Sequence, residues 1–228
     1  MRIFAVSDIH GHATLLQEAL QKAGYDPDDQ NHLLVCCGDL FDRGTENLDV
    51  LKFFEHVERK VMIKGNHEER MLEILYTGRL EPHDLHNGTI VTIQELFGKY
   101  AVVDPLYPID FDGKDGMIRR LEDLIGEMRN YYETEHYVFL HGWLPNEGGK
   151  VISKWREATE DQWSTARWTW WTRGCEMPGR REKKTIVCGH YYTPSGEIHH
   201  GDGFIAIDAG TVFRGRVNVL VLDDDLME

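Results

Sequence analysis

The chain has 228 residues, 41% of them hydrophobic and 28% charged: ordinary globular composition, and enough length for one large domain with its own core. A formal net charge of −14 repels phosphate backbones and excludes non-specific nucleic-acid binding. No apolar run approaches the ~18 to 20 residues of a membrane span, and Met1-Arg2-Ile3-Phe4-Ala5-Val6 reads as a strand rather than a signal peptide, so the expected compartment is the cytoplasm.

Arg2 to Ser7 is the first predicted strand, and the polar loop Asp8-Ile9-His10-Gly11-His12 follows it. Leu15, Leu16, Ala19 and Leu20 recur at helical spacing, and Gly24 ends that helix. Leu33-Leu34-Val35-Cys36-Cys37 reads as a buried strand of a parallel sheet. It leads into Gly38-Asp39-Leu40-Phe41-Asp42-Arg43-Gly44, which holds two carboxylates and an arginine between two glycines. Leu48, Leu51, Phe54 and Val57 share one helical face. Val61-Met62-Ile63 predicts a third strand running into Gly65-Asn66-His67-Glu68, and Met71, Leu72 and Leu75 mark the next helix. Strand, loop and helix repeated three times imply a parallel sheet with right-handed crossovers. The three polar loops then share one edge, where such sheets place ligands.

From about Tyr76 to Tyr131 the strand signals weaken, and the segment reads as a helical insertion over the sheet. Asn87-Gly88 marks a turn, Thr89 to Phe97 and Met117 to Met128 are predicted helices, and Asp104 to Gly116 a loop. A strand at Tyr137 to Leu140 precedes His141-Gly142-Trp143. Lys150 to Trp171 is predicted helical and carries Trp155, Trp163, Trp168, Trp170 and Trp171. Such tryptophans either pack as core, the commoner outcome, or stack on a base or aryl group. Met177 to Lys184 reads as a basic linker. Strands follow at Thr185 to Cys188, Phe204 to Ile207 and Val217 to Leu222, and no shift in composition divides residues 1–228 into two domains. Cys36, Cys37, Cys175 and Cys188 form no CxxC pair and read as reduced structural thiols. Cys36 and Cys37, adjacent on one strand, face opposite sides.

Five predicted strand ends carry candidate ligands: Asp8 with His10, Asp39, Asn66 with His67, His141, and His190. One histidine after a strand is usually a surface residue. Five coincidences in one chain make a pattern. Carboxylate, imidazole and amide oxygen together suit two divalent ions such as manganese, iron or zinc. The spacing of Asp8 and His10 places both side chains on the same side of one strand end.

Asp8-Ile9-His10-Gly11, Gly38 to Gly44 and Gly65-Asn66-His67-Glu68 resemble the three signature motifs of calcineurin-like metallophosphoesterases. The full GDxxDRG and GNHE forms resemble the phosphoprotein-phosphatase branch, which holds Ser/Thr protein phosphatases, small bacterial and phage phosphatases and symmetrical diadenosine tetraphosphatases. Val138 to Gly142 and Val187 to His190 resemble its later histidine motifs, and Ile207-Asp208-Ala209-Gly210 its C-terminal end. The resemblance implies an α/β fold: a four-layer sandwich of two mixed β-sheets flanked by helices. It implies two divalent metal ions, manganese first, with iron or zinc as alternatives. Asp8, His10 and Asp39 would hold one; Asp39, Asn66, His141 and His190 would hold the other, with Asp39 bridging. A metal-bound hydroxide would attack phosphorus. Arg43 would hold the phosphoryl oxygens, His67 would protonate the leaving oxygen, and Asp42 would orient His67. A second phosphate arginine is expected before the last metal histidine, and Arg167 fits better than Arg173.

Tyr192 stands where many relatives carry a second histidine after His190, which argues against nuclease-type and phosphodiesterase-type relatives. His12, His199 and His200 lie outside the motifs and read as surface histidines. The expected function is hydrolysis of phosphomonoesters, with a Ser/Thr-type phosphoprotein or a small phosphoester as partner and neither nucleic acid nor membrane. The alternative substrate is a dinucleoside polyphosphate. A non-catalytic metal-binding regulator is disfavoured, because Arg43 and the Asp42–His67 pair have no purpose in a scaffold.

Overall fold

The computed structural model describes residues 1–102, 104, 106–170 and 184–224. One sheet comprises β1 (Arg2–Val6), β2 (His32–Cys36), β3 (Lys60–Met62) and β11 (Leu220–Asp223), in the order β11-β1-β2-β3. β1, β2 and β3 are parallel and β11 is antiparallel. The other sheet has the order β4-β5-β8-β10-β9, from β4 (Tyr131–Glu133), β5 (Tyr137–Leu140), β8 (Thr185–Cys188), β9 (His199–His200) and β10 (Phe204–Ala206). Its three inner strands are parallel and its edges antiparallel. Both sheets are therefore mixed.

Period-two alternation builds the layers. Ile3, Ala5, Leu33, Val35 and Cys37 meet Phe139, Val187, Ile205 and Ile207 in an apolar layer between the sheets. The alternate residues Phe4, Val6, Leu34 and Cys36 face outward, onto Leu16, Leu20, Val50, Leu51, Phe54 and Met71. Those belong to α1 (Ala13–Ala23), α2 (Asn47–His56) and α3 (Asn66–Thr77). Cys36 and Cys37 thus sit on opposite faces, buried and unbridged, as is Cys188.

The insertion holds α4 (Pro82–Asn87), α5 (Thr89–Phe97) and α6 (Asp115–Gly126). Arg70 of α3 clamps it by pairing with the fully buried Asp84 of α4 at 2.6 Å. No helix of the described residues is long and apolar enough to cross a membrane.

Lys150 to Trp171 is not one helix. A short hairpin, β6 (Asn146–Glu147) with β7 (Lys150–Val151), precedes a 3-10 turn at Trp155–Glu157, and only Glu160–Arg167 forms a helix, α7. Trp155 and Trp163 are buried with Tyr131 and the back of the second sheet. The short edge strands β4 and β9 carry no apolar alternation, which is why they are not predicted. Trp171, Arg173, Cys175 and the linker up to residue 183 lie outside the described residues.

Candidate metal centre

Asp8 and His10, Asp39, Asn66 with His67, His141 and His190 all follow the carboxyl ends of β1, β2, β3, β5 and β8. The fold brings them together. His10 Nε2 lies 3.7 Å from Asp39 Oδ2 and 4.0 Å from Asp8 Oδ1. His67 Nε2 is 3.9 Å from Asp39 Oδ2, and His141 Nε2 is 3.4 Å from Asp39 Oδ1. His141 Nε2 is also 2.9 Å from Asn66 Oδ1 and 3.2 Å from His190 Nδ1. Asp39 belongs to two ligand-type groups, one with His10 and His67, one with His141 and His190.

The backbone is bent to make this cluster. Among the described residues, the non-glycine positions with positive φ are Asp8, His10, Asp39, Asp42, Arg43 and His190, at 48° to 73°. That region is costly for a residue with a Cβ, and such strain gathers at functional sites. The Asp8–His10 spacing therefore does not work through strand alternation. β1 ends at Val6, and left-handed turns aim both side chains inward. Gly44 is required for space: a Cβ there would lie 2.4 Å from the His10 and Gly11 carbonyl oxygens.

The donor set fits a pair of divalent cations. His10 Nδ1–H donates to the Phe41 carbonyl at 2.9 Å, and His141 Nδ1–H to the Cys37 carbonyl at 2.7 Å. A carbonyl can only accept, so each Nε2 turns a lone pair to the cluster, as second-shell partners of metal histidines do. Burial lowers the pKa of His10 well below its usual range, and burial with the neighbouring His141 brings His190 down to about 3. Both rings are neutral at pH 7, the form in which an imidazole can bind a metal. His190 Nε2 is buried without a hydrogen-bond partner among the described residues. Burial raises the Asp8 carboxyl to about 6, against the pull of His141 and with the help of Asp39. Two desolvated carboxylates beside neutral imidazoles call for cations.

A second group of polar side chains borders the cluster. His67 Nδ1 is 2.7 Å from Asp42 Oδ2. Asp42 is buried and also accepts Thr89 Oγ1–H and Thr92 Oγ1–H, each at 2.8 Å. Both threonines come from α5, so the insertion braces this carboxylate. Their i, i+3 spacing is the one signal in the sequence that could have found them. Glu68 is fully buried and accepts N–H bonds from Asp39, Leu40 and Gly65, tying the second polar loop to the third. Ser7 Oγ–H donates to Asp8 at 2.5 Å, and Thr211 Oγ1–H to the Asp8 carbonyl at 2.7 Å. Asp208 is buried near Asp8, and burial, then the Asp8 charge, pushes its carboxyl well above the usual range.

Arg43 stands exposed at the cluster, with no ion pair among the described residues. Arg167, at the end of α7, is already engaged. It is 2% exposed, with Nη1 3.0 Å from Glu69 and Nη2 2.6 Å from Glu160, and it also bonds Asn130. Of the histidines read as surface residues, His200 is exposed, whereas His12 and His199 are half-buried, the first bonded to the Ile9 carbonyl and the second packed on Phe204.

Comparison with known proteins agrees with this geometry. A Xylella fastidiosa symmetrical bis(5′-nucleosyl)-tetraphosphatase is 25% identical, aligned over 99% of this chain and 88% of its own. Serine/threonine-protein phosphatase 2 of Escherichia coli is 42% identical over 33% of this chain and 34% of its own. Two solved structures share the fold. A Saccharomyces cerevisiae protein serine/threonine phosphatase has TM-score 0.59 at 14% identity, over 100% of this chain and 81% of that one. A cold-active protein-tyrosine phosphatase of a Shewanella species has TM-score 0.57 at 16% identity, over 97% and 75%. The calcineurin-like phosphoesterase family model matches residues 1–221. Metal-type ligands at five strand ends and a match over nearly the whole length lead to one conclusion: the chain is a phosphatase and belongs to the calcineurin-like phosphoesterase family.

Proposed function

We propose that the cluster hydrolyses phosphoric esters with two divalent ions, manganese by preference, held by Asp8, His10, Asp39, Asn66, His141 and His190. When bound, such a pair supplies the activated water and a Lewis acid for the phosphoryl oxygens. Asp39 offers one carboxylate oxygen to each side, Oδ2 toward His10 and Oδ1 toward His141. Arg43 binds the phosphoryl group and offsets charge in the transition state. His67 carries the proton for the leaving oxygen.

The observation that carries the reading is the Asp42–His67 contact of 2.7 Å, with Asp42 braced by two threonines. A metal-storing scaffold has no use for an oriented imidazole. Burial alone would lower the His67 pKa. In the metal-free chain the Asp39 charge and the Asp42 bond outweigh it and raise the value to about 9. Arg167 acts as a second phosphate ligand only by releasing Glu69.

For the substrate, the phosphomonoester of a Ser/Thr-type phosphoprotein is supported by the stretch 42% identical to a protein phosphatase. A dinucleoside polyphosphate is a second reading, favoured by similarity to a tetraphosphatase over 99% of the chain. The test is a manganese-supplemented assay with p-nitrophenyl phosphate. The wild type turns over, and His67→Asn keeps its metal while losing most of the rate. No turnover at full metal occupancy overturns the hydrolase reading, and full activity of His67→Asn removes His67 from the acid role.

A further inference from the structure

Arg167 is 2% exposed, so its guanidinium presents almost no surface to a ligand in solution. Desolvating a charge is expensive, and a buried ion pair adds little net stability over well-packed apolar side chains. What such a group can fix is position, and its contacts say of what. Nη1 is 3.0 Å from Glu69, which stands about one turn beyond Asn66 on α3. Nη2 is 2.6 Å from Glu160, at the start of α7, and also donates to Asn130. Asn130 Nδ2–H donates to Glu160 in turn, at 3.0 Å. The residue before it, Arg129, lies along the chain that leaves β3: its N–H donates to the Met62 carbonyl and its carbonyl accepts the Lys64 N–H, each at 2.9 Å. The guanidinium thus grips both flanks of segment 63–65, which delivers Asn66.

The backbone around the same residue touches a loop of the other sheet. The Trp143 N–H donates to the Ala166 carbonyl at 3.0 Å. Gly142 sits so close that a Cβ on it would stand 2.5 Å from the Ala166 and Arg167 carbonyl oxygens. Gly142 directly follows His141. Arg167 therefore meets the Asn66 loop through its side chain and the His141 loop through its backbone. Asn66 and His141 follow strands of different sheets, are assigned to the same ion, and lie 2.9 Å apart, Oδ1 to Nε2. Asp8 and His10, assigned with Asp39 to the other ion, follow β1 and share none of these contacts among the described residues.

We infer that Arg167 is a positioning residue for the ion held by Asn66 and His141, setting the spacing of two ligands that come from different sheets. The inference rests on the two-ion reading of the cluster. It gives a use to the grip that keeps this arginine from a phosphate.

The test is manganese binding by calorimetry, with turnover and phosphate inhibition alongside. Removing a group that orients a metal ligand costs about tenfold to a hundredfold in metal affinity. Arg167→Met should weaken one manganese ion by about that factor and leave the other at its wild-type affinity. General loosening of the fold weakens both. Arg167→Lys keeps the charge but not the planar fork that spans Glu69 and Glu160, and restores part of the affinity. Glu69→Gln, at a partly exposed side chain, weakens the same ion and serves if Arg167→Met does not fold. In the double variant the two losses are less than additive. Excess manganese restores kcat on p-nitrophenyl phosphate, and inorganic phosphate then inhibits the variants as it inhibits the wild type. Unchanged manganese affinity in both single variants, or equal weakening of both ions, overturns the inference. So does weaker phosphate inhibition with metal binding intact, which would make Arg167 a phosphate ligand. A wild type that binds no manganese overturns the two-ion reading and this inference with it. A wild type that loads two ions, beside variants that load them equally well, overturns the inference alone.

Discussion

Replacing Glu68 with glutamine should loosen the centre without touching a ligand. Glu68 Oε2 accepts from the Asp39 and Gly65 amides at 2.9 Å each, and Oε1 from the Leu40 amide at 2.7 Å. Glutamine has one oxygen. If that oxygen serves Asp39 and Gly65, its amide nitrogen faces the Leu40 N–H, donor against donor, in a fully buried site. One lost charge-assisted bond costs about 1.5–3 kcal/mol, and the orphaned N–H adds to it. The two surviving bonds lose their charge assistance. Against this stands the removal of a buried carboxylate whose pKa is raised by burial and then by the Asp39 charge. The net expectation is a loss of about 2 kcal/mol, which at an m-value of about 2–3 kcal/mol/M lowers the urea midpoint by nearly 1 M. Because the same bonds hold Asp39 relative to Asn66, manganese affinity should also fall, by about tenfold or more. Urea unfolding by circular dichroism and metal titration by calorimetry measure both. A midpoint within about 0.2 M of wild type, with unchanged manganese affinity, would refute the reasoning.

Asp42→Asn keeps the shape but reverses the tautomer preference of His67, so kcat should fall by about a hundredfold or more with metal content unchanged; a loss of metal instead would show that Asp42 holds the cluster rather than the proton. Gly44→Ala forces a Cβ to 2.4 Å from two backbone oxygens and should cost about 1–3 kcal/mol, read as a fall in melting temperature; an unchanged melting temperature would mean that the loop has room. In the metal-free chain, the His67 imidazolium should titrate near 9 by NMR, above its ordinary 6.5. A raised folded-state pKa stabilises below the unfolded value and loses that contribution as pH climbs through the folded one. Metal-free stability should therefore decline from about pH 6.5 to 9 on this account, and a His67 resonance titrating at its ordinary value would contradict it.

Composition, periodicity and motif spacing are local properties, and they carried much of this protein. Continuous apolar runs marked β1, β2, β5 and β8, and helical spacing marked α1, α2, α3 and α5. The polar residues after the apolar runs marked the candidate ligands, because a parallel sheet brings its strand ends to one edge whatever the intervening chain does. The sequence misled over Lys150 to Trp171, which reads as one helix: Trp155 and Trp163 pack on the second sheet, and among the described residues of the segment only Glu160–Arg167 forms an α-helix. What tertiary structure alone decided are relations between residues far apart in the chain. Thr89 and Thr92 reach Asp42 across 47 and 50 positions, and Glu68 ties together loops 28 and 29 positions apart. Arg167, plausible from its place in the sequence as a phosphate ligand, is found engaged by Glu69 and Glu160. Buried hydrogen bonds of this kind depend on which backbone donors remain unpaired once the sheets have formed, and no local pattern encodes that.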